Sequence, residues 1–138
     1  NLLYGLKEAL RLLHKEGLQN VYDRHQRLAQ ATRLAVDAWG LENMCLNPTE
    51  YSNSCTAVLT PKGFDADHLR EVILDKFNMS LGTGLGKLKG TVFRIGHLGD
   101  FNELSLAGTL SGVEMGLRLA KIPHKQGGVN AALEFLSD

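Results

Sequence analysis

The sequence is short of cysteine, of net charge and of long apolar runs, and each shortage removes a class of function. Its two cysteines, Cys45 and Cys55, stand ten apart with no CxxC spacing and no flanking histidine, so no structural zinc site has a ligand set here. They read as the reduced, inert thiols of a cytoplasmic protein. Fifteen basic residues balance fifteen acidic ones. The two signs are interspersed, which leaves no basic stripe to follow phosphates and excludes nucleic acid as a partner. No apolar run approaches the ~18 residues of a membrane span, and no secretory signal precedes the first helical pattern. An initiating methionine is also missing: the chain opens at Asn1 and runs straight into an apolar helical stripe, an expected sign of a cut inside a longer chain. The five histidines (His14, His25, His68, His97, His124) are scattered, without the spacing of a metal site or a Ser–His–Asp set.

What remains is an ordinary globular composition, 43% hydrophobic and 22% charged over 138 residues. That length makes one domain, which hides roughly two-thirds of its unfolded surface. Leu3, Leu6, Leu10 and Leu13 recur at helical spacing, with Gly17 as a stop. A second helix is expected over 21–39, with Asn20 as N-cap and Gly40 closing it. Residues 42–45 and 56–59 read as strands. Asp65 caps a third helix carrying Leu69, Val72, Ile73 and Phe77, which Asn78 ends in a left-handed conformation. A short strand is expected over 79–81, then a glycine-rich loop from Gly82 to Gly90, then the strand 91–96. Leu106, Leu110, Val113 and Leu117 mark a fourth helix. Gly127–Gly128 reads as a hinge before a short tail helix. Helices alternating with a few short strands give the expected fold class: α/β, a two-layer sandwich whose small, mostly antiparallel sheet has helices on one face.

Two places could carry chemistry. The loop LGTGLGKLKG, 81–90, fails as a phosphate loop, because the first glycine falls on Leu81 and Leu88 stands where a hydroxyl is needed. It also leads into β-prone residues instead of opening a helix, which excludes a dinucleotide fingerprint. It is either a flexible connection or a backbone surface that something approaches closely, since only glycine leaves that room. In the strand VFRIG, Phe93 and Ile95 share one face while Val92, Arg94 and Gly96 share the other. If helices cover one side, Phe93 and Ile95 point into the core, and Arg94 stands on the open side. A guanidinium is a planar fork matched to carboxylate. The same pattern would also suit a surface arginine laying its stem over the sheet. His97 falls on the core side and reads as structural.

The stretch LGTGLGKLKGTVFRIGHLGD, 81–100, resembles the glycine loop and arginine strand of class V pyridoxal-phosphate-dependent aminotransferases of the serine–glyoxylate and alanine–glyoxylate type. The segment NLLYGLKEALRLLHKEGLQNVYDRHQRLA and the tail GGVNAALEFL resemble the same family, so the likeness covers essentially the whole chain. It implies that 1–138 is the family's C-terminal small domain and that 1–17 is the helix leading in from a large domain. It further implies that Arg94 binds the substrate carboxylate and that Gly82, Thr83, Gly84 and Gly86 form a candidate active-site loop. Pyridoxal phosphate, the small amino acid, glyoxylate and a homodimer belong to the implied parent enzyme. No cofactor and no catalysis are expected of these 138 residues alone, since the family's cofactor lysine lies in the large domain. A cysteine desulfurase, also of class V, would need its cysteine on a mobile loop, which neither cysteine matches. The remaining alternative is a free-standing α/β module that binds a small carboxylate without catalysis.

Overall fold

A computed structural model describes all 138 residues, from Asn1 to Asp138. The helices are α1 (Leu2–Glu16), α2 (Leu18–Ala38), α3 (Ala66–Phe77), α4 (Glu103–Leu119) and α5 (Gly128–Ser137). The strands are β1 (Glu42–Asn43), β2 (Cys55–Leu59), β3 (Gly82–Thr83) and β4 (Val92–Gly96). They form one antiparallel sheet in the order β1-β2-β4-β3. This is the α/β sandwich expected from the residue pattern.

Register follows from period-2 alternation, because one face of each central strand must be buried. Thr56 pairs with Ile95 and Val58 with Phe93, and all four are buried. Leu69 and Ile73 of α3, Leu106, Leu110, Val113 and Leu117 of α4, and Leu28, Ala31, Ala35 and Val36 of α2 close over them in a single core. Each fully buried Leu, Ile or Phe contributes about 1.5–3 kcal/mol through removal of apolar surface from water. Asp65 and Asn102 cap α3 and α4, accepting from the backbone N–H of Asp67 and Ser105 at 2.8 Å each. Asn78 ends α3 at φ 51°.

The helix α5 is fixed at its start by one carboxylate. Glu114 accepts the Trp39 indole N–H at 2.6 Å and the Val129 and Gly127 backbone N–H groups at 3.1 and 3.3 Å. Burial pushes the Glu114 carboxyl up, but these donors outweigh it and hold it below the usual range. Gly128 therefore has a packing role where a hinge was expected. A Cβ there would lie 2.2 Å from the indole nitrogen of Trp39.

Two further expectations are corrected, and the first helix, found where its spacing put it, is exposed throughout. The second helix begins at Leu18, directly after Gly17, and the Asn20 amide donates to Glu16 O at 2.7 Å, so it closes α1 instead of opening α2. The edge strand lies at Gly82–Thr83, one step beyond 79–81. No residue of α1 is buried, and Leu3, Leu6, Leu10 and Leu13 of its stripe are all exposed.

Candidate functional site

The sheet has one face under the helices and one face largely open, and Arg94 stands on the open one. Its cross-strand neighbours are Ala57 on β2 and Gly82 on β3. Both are too small to cover it. The half-buried side chain crosses Gly82, where a Cβ would sit 3.0 Å from both Cβ and Nε of Arg94. Nε donates to the backbone oxygen of Thr83 at 2.9 Å. The two terminal nitrogens have no acceptor in the chain, and Arg94 makes no ion pair. A guanidinium fixed at its elbow, with its fork free, is arranged to receive a carboxylate in bidentate fashion.

The face assignment holds for Phe93 and Ile95, each fully buried, and for Arg94. It is incomplete for Val92, which shares Arg94's face and is nevertheless buried. The glycine loop returns beside that end of β4, where the Gly84 N–H donates to Val92 O at 2.9 Å. Within the loop, Gly82 and Thr83 touch Arg94, whereas Gly84 and Gly86 serve the loop's own path. A Cβ on Gly84 would lie 2.1 Å from Leu88 O, and Gly86 has φ 55° in open space.

His97 is buried on the core side, as the alternation implied. Its Nδ1 donates to Asn53 O at 3.2 Å, and its Nε2 accepts from the Thr56 hydroxyl at 2.9 Å. Burial brings its pKa down to about 4, so the ring is neutral near pH 7. It has no path to the open face and serves structure.

The segment after β4 is held from α2 by residues that no sequence motif marks. Arg24 donates through Nη1 to Gly99 O and Phe101 O at 2.8 and 2.9 Å while clamping Glu16 at 2.7 and 2.9 Å. His25 Nε2 accepts the Gly99 N–H at 3.0 Å. These contacts join positions 74 to 77 apart, and their partners are mostly backbone atoms that carry no sequence signal.

Cys55 lies on the open face, half-buried, where desolvation pushes its thiol up despite the nearby positive charge of Arg94. A thiol shifted in that direction is a poor nucleophile. No three His, Cys, Asp or Glu side chains gather into a metal site, and no helix is long and apolar enough to cross a membrane. A lysine that forms a Schiff base is activated by desolvation in an apolar pocket or by a cationic neighbour. All eight lysines here are exposed.

No protein-family model matches the chain. It is 50% identical over 136 residues to serine–glyoxylate aminotransferase of Arabidopsis thaliana, covering 98% of this chain and 34% of that protein. It is 48% identical over 138 residues to serine–glyoxylate aminotransferase of Methylorubrum extorquens, covering 99% and 34%. Among solved structures, ureidoglycine–glyoxylate aminotransferase from Bacillus subtilis superimposes with a TM-score of 0.91 at 28% identity, over 99% of this chain and 35% of that one. The chain spans about a third of the length of the curated relatives it matches.

Proposed function

Because the chain belongs to the class V pyridoxal-phosphate-dependent aminotransferases, as a C-terminal part, we propose that it supplies their substrate-carboxylate anchor through Arg94. The reaction is transfer of an amino group between a small amino acid, serine or alanine, and glyoxylate. One observation carries the role of Arg94: its elbow is bonded to Thr83 O and its fork is free on the open sheet face between Ala57 and Gly82. Amino donor and keto acid both present a carboxylate, so one anchor serves both half-reactions. Pyridoxal phosphate, when bound, supplies the electron sink. Its covalent and phosphate contacts come from the rest of the enzyme, and this chain orients the substrate. In this reading 1–138 is the small domain, 1–17 leads in from the large domain, and the parent is a cytoplasmic homodimer. The reading of a free-standing carboxylate-binding module is not favoured, since the likeness spans the whole chain and only a third of each relative.

The test is steady-state kinetics on the full-length enzyme. Arg94→Ala removes the charged fork and should lower kcat/KM for both the amino donor and glyoxylate by about 30- to 1,000-fold. Arg94→Lys keeps charge without the planar fork and should fall in between. Cofactor affinity should change little. Unchanged kcat/KM for both acids in the Ala variant would reduce Arg94 to a surface residue.

A further inference from the structure

We propose that Asp67, Arg70 and Thr83 are positioning residues that set the direction of the Arg94 fork from the opposite side of the sheet, Gly82 providing the space in which it lies. The inference rests on the reading of Arg94 as the substrate anchor.

Strand β3 is two residues long and lies at the edge of the sheet, so its pairing with β4 alone holds it weakly. Yet its Thr83 carbonyl is the only acceptor of Arg94 within the chain. A displacement of β3 would therefore move the elbow of Arg94 and re-aim its terminal nitrogens.

The helix layer supplies what pairing does not. Alternation puts Gly82 on Arg94's face and sends the Thr83 side chain to the helix side, opposite Phe93. There the Thr83 hydroxyl donates to Asp67 Oδ1 at 2.9 Å, with its second contact, Gly84 O, at 3.2 Å. Arg70 donates to the same Asp67 oxygen at 2.9 Å, and its Nε donates to Leu81 O at 2.8 Å, the residue just before β3. Asp67 and Arg70 sit one turn apart at the start of α3, whose N-cap Asp65 fixes that turn. Thr83 is thus bonded on both sides of the sheet, by its hydroxyl to α3 and by its carbonyl to Arg94. The Thr83 hydroxyl is the largest influence holding the Asp67 carboxyl below the usual range, with Arg70 adding to it. The Arg70 guanidinium is engaged through Nε and Nη1, whereas both terminal nitrogens of Arg94 are free.

The experiment uses the full-length enzyme with its cofactor, assayed with serine and glyoxylate. Thr83→Val keeps the shape and removes the hydroxyl, while Thr83→Ser keeps the hydroxyl. Thr83→Val should raise KM for both substrates by about 3- to 10-fold with kcat within about two-fold, and Thr83→Ser should restore wild-type values. Asp67→Asn provides a second route to the same effect should the valine variant fold poorly. The deciding measurement is the double variant. In an Arg94→Ala background, Thr83→Val should add less than about two-fold, because the residue it steers is gone. An undiminished effect in that background, or an unchanged KM in both Thr83→Val and Asp67→Asn, overturns the positioning role while Arg94 stands. An Arg94→Ala enzyme with normal kcat/KM removes the anchor and this role with it.

Discussion

At the scale of single residues, His97 links burial to acid stability. Its pKa of about 4 in the folded chain lies below the ordinary value of 6.5. Between those values the unfolded chain binds a proton that the folded chain refuses, so stability is full above pH 6.5 and falls as pH drops toward 4. The slope is at most ~1.4 kcal/mol per pH unit, or ~3 kcal/mol across the window. Urea unfolding of the 138-residue chain at several pH values between 7.5 and 4.5 should show it, and His97→Gln should flatten the dependence. Parallel curves for the two proteins would mean that His97 protonates without cost. Arg94 and His97 also show what a strand reveals and what it withholds. Period 2 assigned Phe93 and Ile95 to the core and Arg94 to the open side. Asp67 and Thr83, by contrast, meet across sixteen positions and two elements, and neither residue type announces such a contact in advance.

At the scale of elements, α4 contains glycines of opposite meaning. A Cβ on Gly116 would lie 2.3 Å from Cγ1 of Ile73, whereas one on Gly108 would meet nothing within 4 Å. The first lets α3 and α4 approach; the second only weakens the helix. Gly116→Ala should destabilise by about 1–3 kcal/mol through overpacking. Gly108→Ala should stabilise by about 0.5–1 kcal/mol through helix propensity. Denaturation midpoints of the two variants should move in opposite directions, and equal shifts would contradict this account. Helices α3 and α4 were legible because their stripes and caps are local, and α5 because its stripe is. The edge strand was misplaced because two residues show no alternation. The start of α2 was misplaced because Asn20 can serve either helix, and the positive-φ break at Gly17 decides which.

At the scale of the whole molecule, the core and α1 differ in kind. A 15-residue helix with no buried side chain has little beyond propensity to hold it, and isolated helices of that length are marginal in water. Amides of α1 in the 138-residue chain should exchange hydrogen much faster than those of α2 between Leu28 and Val36, by orders of magnitude. Equal protection would mean that α1 finds a partner, in a second copy or elsewhere. The stripe itself was readable from sequence; that its leucines would stay exposed was not, because periodicity reports amphipathicity and does not name what covers it.

The contact between Trp39 and Glu114 has an optical consequence. Trp39 is the single tryptophan, fully buried, with its indole N–H held by a carboxylate at 2.6 Å and Gly128 against its ring. All emission excited selectively in the indole band therefore originates at the junction of α2, α4 and α5. That signal reports the docking of the C-terminal helix onto the core, and it is blind both to fraying of α1 and to events at the Arg94 face. A complete unfolding record needs a second probe beside it, such as helix circular dichroism, and disagreement between the two marks the fraction of helix that stands outside the cooperative unit.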